Sequence, residues 1–195
     1  MTGLTERKKY TPEEYLALEE QAEFRSEYEN GAIVAMAGGS FNHVQITSNV
    51  TRTLGNQLSG KCSVLPTDMK VWVEKRGKFY YPDITIVCGK PQFHQNRTDT
   101  IINPNILVEV LSKSTEAKDR TEKFWSYQLV DSFQEYVLVS QDKAAIEQFV
   151  RQADGSWRYL AVIGEESVLR LMTVEAELNL REVYQSIDFE TEENL

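Results

Sequence analysis

Two short apolar runs near the middle of the chain predict buried β-strands. They span residues 81–87 and 106–112, are rich in Val, Ile and Leu, and are bounded by Pro, Gly, Ser and Asn. Each run contains one acidic residue, Asp83 in the first and Glu109 in the second. An ionised carboxylate inside an apolar strand is unfavourable unless a cation pairs with it. The two acids therefore predict a small acidic pocket at the edge of a sheet, with a divalent metal ion or a basic side chain as the partner.

Capping and turn signals predict two helices and a hairpin before these strands. The Thr-Pro-Glu-Glu sequence at residues 11–14 has the composition of a helix start, and this helix is expected to reach about Glu23. Asn-Gly at residues 30–31 lies between two candidate strands, which is a strong hairpin signal. Ser40 can cap a second helix that runs to about Leu58, because apolar residues recur along it at spacings of three and four.

The remaining chain alternates candidate strands with helical segments. Two long strands at residues 61–74 and 78–87 are predicted to join through a turn, and a polar loop follows at residues 89–105. A helix is predicted over residues 116–129. The last part of the chain is predicted to contain strands at residues 135–140, 145–151, 157–162 and 168–171, then helical turns at 174–179 and 180–184.

This order of elements predicts an α/β (α+β) fold in a single domain over residues 1–195, with disordered tails at 1–9 and 188–195. The composition, 41% hydrophobic and 26% charged, is that of an ordinary globular protein. No apolar run approaches the length of about 20 residues that spans a bilayer, so no membrane association is expected.

Cysteine content and net charge each add one expectation. Cys62 and Cys88 are too few for a disulfide framework and lie in predicted strands, so we expect buried free thiols and a cytoplasmic protein. The net charge of −9 argues against a broad DNA footprint, because nucleic-acid affinity depends on neutralising phosphates. Local positive charge can still bind DNA in an acidic protein.

The predicted helix after the second acidic strand carries a second polar cluster. Asp119, Lys123 and Tyr127 lie at positions i, i+4 and i+8, so they share one face of that helix. In the strand before it, Glu109 is expected on the same face as Leu107, because alternate strand residues share a face.

The order of these motifs resembles the Uma2 family, which is assigned to the PD-(D/E)XK superfamily of endonucleases. The matching features are Pro-Asp at residues 82–83, Glu-Val-Leu-Ser-x-Ser-Thr at 109–115, the three polar helix residues, and Glu-Tyr-Val at 135–137. The resemblance covers about residues 10–185. It implies a restriction-endonuclease-like core: a central mixed β-sheet flanked by helices, with additional N- and C-terminal strands.

The resemblance also implies a metal-dependent endonuclease that hydrolyses DNA phosphodiester bonds. Asp83 and Glu109 would hold Mg²⁺, for which Mn²⁺ can substitute. The superfamily places a lysine two residues after the second acid, but Leu111 stands there in this chain. Lys123 on the following helix is therefore our candidate for the catalytic lysine, Lys113 is its nearer rival, and Lys70 is held in reserve.

Four further residues are candidate neighbours of this site. The resemblance implies that Glu29, in its Tyr-Glu-x-Gly context, approaches the metal, whereas the residue pattern alone is equally compatible with a solvated hairpin acid. His43 is either a core histidine or a site neighbour that contacts phosphate. Asp119 and Tyr127 accompany Lys123 on its helix face.

The sequence is also compatible with loss of the endonuclease activity and with homodimerisation. The missing acid-x-Lys motif and the acidic charge are also compatible with an inactive nuclease fold that acts as a protein-binding or regulatory module. The loop at residues 89–105 and exposed sheet edges could mediate homodimerisation, because many nucleases cut two strands as pairs.

Overall fold

The computed structural model describes residues 8–189 of the chain. In chain order these residues form α1 (Pro12–Glu19), β1 (Ser26–Glu29), β2 (Ala32–Ala35), α2 (Phe41–Gln57), β3 (Cys62–Pro66), β4 (Lys70–Val73), β5 (Lys78–Tyr80), β6 (Ile84–Cys88), β7 (Thr100–Ile101), β8 (Ile106–Leu111), α3 (Glu116–Lys118), α4 (Phe124–Tyr127), β9 (Glu135–Ser140), β10 (Ala145–Arg151), β11 (Trp157–Ile163), β12 (Val168–Leu171), β13 (Ala176–Asn179) and α5 (Leu180–Val183). A 3₁₀ turn covers Glu74–Arg76, and a π-helical turn, Asp119–Lys123, joins α3 to α4. In this part of the chain, no helix is both long and apolar enough to cross a membrane.

A six-stranded mixed sheet forms the centre of the fold. Its strand order is β11-β10-β9-β8-β6-β3, in which β8 and β9 run parallel and the other neighbours run antiparallel. Every residue of β8 is buried. Val108 and Val110 pack into a core cluster that includes Ile46 and Val50 of α2, whereas Leu107 packs on the opposite side. The two faces of β8 therefore alternate as its sequence predicted, with helices covering both faces of the sheet.

A second sheet of five strands packs beside the first. Its order is β2-β1-β5-β4-β7, and a two-stranded β12-β13 ribbon completes the described strands. Tyr15 of α1, Tyr28 of β1 and Phe79 of β5 form a buried aromatic cluster in which ring centroids lie 5.2 to 6.0 Å apart. This cluster attaches the N-terminal helix and hairpin to the five-stranded sheet. The fold is thus α+β, with central mixed sheets flanked by helices, as predicted.

The two long strands predicted at residues 61–74 and 78–87 are wrong in one respect, because each divides between the two sheets. β3 pairs with β6 in the six-stranded sheet, and β4 pairs with β5 in the five-stranded sheet. The hairpin changes sheets where the Thr67 N–H donates to the Asp83 carbonyl over 2.8 Å. Thr67 has a φ of 27°, which ends β3, and Pro82 interrupts the partner strand. This bend places Asp83 at the junction of the sheets.

Four other elements differ from their predictions. Helix α1 ends at Glu19 and not at about Glu23, and the loop predicted at residues 89–105 contains strand β7. The helix predicted over residues 116–129 contains the π-helical turn and ends at Tyr127. The helical turn predicted at residues 174–179 is instead strand β13, which pairs antiparallel with β12. In β13, Ala176 and Leu178 are buried and Glu177 is exposed, so a two-residue alternation overrides the apparent helical pattern.

The cysteine prediction is also wrong, because Cys62 and Cys88 form a disulfide. They are directly opposed partners in the antiparallel β3–β6 pair, with their Cα atoms 4.1 Å apart. The expectation of a cytoplasmic protein rested on free thiols and stays a prediction.

The described C-terminal residues pack against the body of the protein. Asn42 donates its side-chain amide to the Asp188 carbonyl over 3.0 Å, and the Phe189 ring lies 5.4 Å from that of Tyr184. Residues 1–7 and 190–195 of the two predicted tails lie outside the described residues.

Candidate active site

A cavity of about 530 Å³ opens where the six-stranded sheet meets the helical segment 116–127 and the β2–α2 connection. The lining of the cavity includes ionisable side chains and residues 34–39, which carry no charge. The ionisable lining residues are Glu27, His43, Asp83, Glu109, Lys113, Lys118, Asp119 and Lys123.

Asp83 is held at the cavity by two hydrogen bonds. Its Oδ2 accepts the backbone N–H of Val110 over 2.7 Å, and its Oδ1 lies 3.0 Å from Nε2 of His43. Burial lowers the pKa of His43, but the hydrogen bond and charge of Asp83 outweigh it, so the pKa is raised overall. The backbone bond ties the Asp83 carboxylate to β8, the strand that carries the second predicted acid.

Glu109 lies in the middle of β8 and is only 2% exposed. Its Oε1 accepts hydrogen bonds from Lys123 Nζ and from the Tyr127 hydroxyl, each over 3.2 Å. Burial raises the pKa of Glu109 well above its usual value, and the nearby charges of Asp119, Asp83 and Glu27 act in the same direction. The positive charge of Lys123 opposes this rise.

Lys123 occupies the centre of an acidic cluster. Its ammonium lies 3.0 Å from Asp119, 3.2 Å from Glu109 and 3.3 Å from Glu27. Burial alone would lower the pKa of Lys123, but these carboxylates raise it well above the usual value. The side chain can therefore donate hydrogen bonds to the surrounding carboxylates.

Six of the predicted site residues line this cavity: His43, Asp83, Glu109, Lys113, Asp119 and Lys123. Tyr127 lies behind them and contacts the cavity through Glu109. Whether these residues catalyse a reaction stays a prediction; the structure establishes that they are neighbours.

Lys113 lies at the margin of the cavity, and two other predicted residues, Glu29 and Lys70, do not line it. Lys113 lines the cavity but is exposed, because β8 ends at Leu111 and does not continue to it. Glu29 forms ion pairs with Lys118 and, at 3.9 Å, with Lys78, and it does not line the cavity. Lys70 belongs to another cluster, 2.7 Å from Asp99.

Glu27 and Lys118 also line the cavity, although neither was predicted as a site residue. Glu27 is buried, accepts a hydrogen bond from Lys118 over 2.8 Å, and also faces Lys123. Burial would raise the pKa of Glu27, but the two lysines outweigh this effect and lower it. Glu27 and Glu29 share a strand face, so the period-two pattern of β1 was the available signal. The lysine partners become visible only once β1 and α3 are packed together.

These contacts join into a chain of alternating charges that crosses from one sheet to the other. Its members, in order, are Glu109, Lys123, Glu27, Lys118, Glu29, Lys78 and Glu122. The N-terminal hairpin therefore contributes directly to the electrostatics of the cavity.

The oxygen donors of the cavity fit a magnesium ion. Among residues 8–189, no group of three or more His, Cys, Asp or Glu side chains could hold a metal. Mg²⁺ does not require such a cage, because it binds through one or two carboxylates and keeps several water ligands. Asp83 and Glu109 line the same cavity and interact electrostatically, so they can supply two carboxylates.

Two relatives share about a third of their residues with this chain over most of their length. “Uncharacterized protein sll1609” of Synechocystis sp. is 32% identical over 158 residues, which cover 80% of this chain and 89% of that protein. “Uncharacterized protein slr1290” of the same organism is 37% identical over 153 residues, which cover 78% of this chain and 80% of that protein.

A solved structure shares the fold over most of its length. The crystal structure of “a putative nuclease belonging to DUF820” from Anabaena variabilis superimposes with a TM-score of 0.72 and 15% sequence identity. The match covers 90% of this chain and 97% of that chain. At this identity the similarity concerns the fold alone.

The sequence pattern of the Uma2 family, described as “Putative restriction endonuclease”, matches residues 12–182. This range contains both sheets and every residue that lines the cavity. The chain therefore belongs to the Uma2 family.

Proposed function

We propose that the protein is a metal-dependent endonuclease that hydrolyses phosphodiester bonds in DNA. The observation that carries the proposal is the convergence of Asp83, Glu109 and Lys123 in one cavity. Family membership supports the nuclease class and a nucleic-acid substrate, whereas the metal is inferred from the carboxylates of the cavity.

Asp83 and Glu109 are the residues that would hold Mg²⁺ or Mn²⁺. A bound divalent ion stabilises negative charge on a phosphoryl group and promotes attack by water. The hydrogen bond from the Val110 N–H to Asp83 and the bonds from Lys123 and Tyr127 to Glu109 orient the two carboxylates. Such fixed donors reduce the reorganisation that the reaction would otherwise need.

Lys123 would act as a cation beside the reacting phosphate. Hydrolysis adds the OH of water to phosphorus, breaks one P–O ester bond and places a proton on the leaving oxygen. Lys123 can donate a hydrogen bond to the phosphate or to the leaving oxygen. His43 would keep Asp83 in position through its ring nitrogen.

The direct test compares purified wild type with Asp83→Ala on supercoiled plasmid in the presence of Mg²⁺ or Mn²⁺. We expect the wild type to nick the plasmid and the variant to lose activity by at least about 10²-fold, the scale of removing a key electrostatic group. Asp131→Ala is the matched control, because Asp131 is a highly exposed acid paired with Lys75 at the surface. Equal cutting by wild type and Asp83→Ala would refute the assigned site.

Calorimetric titration with Mn²⁺ separates metal binding from cleavage. We expect the wild type to bind Mn²⁺ and Asp83→Ala to lose that binding, while circular dichroism shows an unchanged fold. A wild type that neither binds Mn²⁺ nor cuts DNA would instead support the protein-binding module considered from the sequence.

A further inference from the structure

A glutamine in the cavity lining has an amide group that residues 8–189 use at one end only. Gln141 lies directly after β9, lines the cavity and is 6% exposed. Its Oε1 accepts a hydrogen bond from Ser40 Oγ over 3.2 Å. Its Nε2, which can donate two hydrogen bonds, has no partner among the described residues and keeps contact with solvent. A largely buried amide donor therefore borders the proposed reaction site.

Ser40 determines which end of this amide stays available. Ser40 is the N-cap of α2, and its Oγ accepts the backbone N–H of His43 over 3.2 Å. The hydroxyl proton of Ser40 needs an acceptor of its own, and Gln141 lies within hydrogen-bond distance of it. Because only the oxygen of an amide accepts, the bond holds Oε1 at Ser40 and leaves the N–H donors for another partner.

The central sheet places Gln141 near the two predicted metal ligands. β8 and β9 run parallel, and Leu111 is paired with Ser140 where both strands end. Gln141 therefore follows the last pair, at the carboxyl ends of the two strands. Ligands of α/β sheets bind at the carboxyl ends of parallel strands. β8 also carries Glu109 and is hydrogen-bonded to Asp83.

An anionic substrate needs hydrogen-bond donors in this cavity, because the lysines do not outnumber the acids. The lining contains the acids Glu27, Asp83, Glu109 and Asp119 and the lysines Lys113, Lys118 and Lys123. Lys118 and Lys123 each pair with at least two carboxylates of the protein. The oxygens of a phosphodiester accept hydrogen bonds, and glutamine amides are among the groups that donate to them.

We propose that Gln141 is a substrate-binding residue whose Nε2 donates a hydrogen bond to a non-bridging oxygen of the phosphodiester that is cleaved. This inference rests on the proposed endonuclease function and adds a residue to the site formed by the two carboxylates and Lys123. Because Ser40 holds the amide before the substrate binds, the donor orients the phosphate with little reorganisation. Gln141 has no role as a metal ligand in this proposal.

The test measures single-turnover cleavage of supercoiled plasmid in Mg²⁺ by wild type, Gln141→Ala and Gln141→Glu. We expect Gln141→Ala to lower kcat/KM at least about tenfold, the scale of one hydrogen bond to a charged group. Gln141→Glu should lose at least as much. Its carboxylate can still accept the bond from Ser40, but it presents a negative charge to the phosphate in place of a donor. If Gln141 served only to hold Ser40, Gln141→Glu would cut as well as the wild type.

Gln45→Ala is the matched control. Gln45 is a partly buried glutamine of α2 whose amide donates to Asn49, and it does not line the cavity. Its kcat/KM should equal that of the wild type. In calorimetric titration, Gln141→Ala should still bind Mn²⁺ whereas Asp83→Ala should not, and circular dichroism should show an unchanged fold in each variant.

Several outcomes would overturn the inference. Wild-type cleavage by either Gln141 variant would do so, as would equal losses in Gln141→Ala and Gln45→Ala. If Asp83→Ala is inactive in the same assay, the proposed endonuclease stands and only the role of Gln141 is rejected. Loss of Mn²⁺ binding in Gln141→Ala would show that this residue acts on the metal site and not on the phosphate. A wild type that does not cut the plasmid would reject the proposed function and this inference together.

Discussion

The ammonium of Lys123 lies 3.2 Å from Oε1 of Glu109, although the two residues are 14 positions apart in the sequence. In the superfamily motif the lysine follows the acid by two residues on the same strand, where this chain has Leu111. Here the lysine is the last residue of a π-helical turn, outside the strand. A lysine is thereby placed beside Glu109 by a different part of the chain.

Replacing this lysine should separate the two candidates for the catalytic role. We expect Lys123→Ala to lower the single-turnover cleavage rate by about 10²-fold or more, because it removes the cation beside Glu109. Lys113→Ala should reduce the rate by less than about tenfold, since Lys113 is exposed at the cavity margin.

Comparing the cleavage rates of the two variants assigns the catalytic role to one of the two lysines. Thermal unfolding of both variants shows whether a loss of rate reflects a loss of fold, because removing one partner from a buried ion cluster destabilises by about 3–5 kcal/mol. A larger rate loss in Lys113→Ala than in Lys123→Ala would assign the catalytic role to the exposed lysine.

Glu27 should influence the reaction through Lys123. The two side chains are 3.3 Å apart, and Glu27 belongs to the N-terminal hairpin. We expect Glu27→Gln to lower kcat with little change in KM, and to have little further effect when Lys123 is already Ala. Such non-additivity is the signature of residues that act as a unit.

Glu29→Gln is the matched control for this double-mutant cycle. Glu29 lies on the same strand face but pairs with Lys118 and Lys78 and not with Lys123. Its effect on kcat should be small and independent of the residue at position 123. Additive losses for Glu27→Gln and Lys123→Ala would show that Glu27 acts separately.

The ion cluster around Asp99 predicts a pH dependence of stability. Burial would raise the pKa of Asp99, but hydrogen bonds of 2.7 Å from Arg97 and Lys70 hold it well below the usual range. In the unfolded chain the Asp pKa is about 3.9. The stabilisation is therefore fully present above about pH 4 and is lost as the pH falls towards the folded-state pKa.

Urea unfolding of wild type and Asp99→Asn at several pH values measures this effect. We expect the variant to be less stable by about 1 kcal/mol at neutral pH, a modest value because Asp99 is partly exposed to solvent. The difference should shrink below about pH 4. A difference that stays constant down to acidic pH would contradict the assignment, and Asp131→Asn should show no difference at any pH.

The disulfide predicts a redox dependence of stability. Because it closes a loop with a sequence separation of 26, reduction should lower the free energy of unfolding by about 3 kcal/mol. Alkylation of the denatured, unreduced protein should label neither Cys62 nor Cys88 in mass spectra. A Cys62→Ser/Cys88→Ser variant should be insensitive to reductant, and two labelled thiols in the wild type would contradict the bond.

Local sequence patterns determined much of the fold. The Thr11 cap, the Pro12 helix start and the Asn-Gly hairpin at residues 30–31 occur where they were predicted, because each signal acts over a few neighbouring residues. The two-residue alternation in β8 likewise identified which side chains face each core cluster. Because Glu109 is an acid in this apolar strand, it was also predicted to need a cationic partner.

Local patterns could not predict the contacts between distant parts of the chain, which only the tertiary structure decided. The division of one long hairpin between two sheets depends on strand partners that are distant in sequence, and so does the pairing of Cys62 with Cys88. The sequence by itself determined that two acids required compensation inside an apolar sheet. Only the packing of β1 against the 116–127 helical segment decided that Glu27 shares Lys123 with Glu109, because an ion pair depends on proximity in space and produces no periodic pattern along the chain.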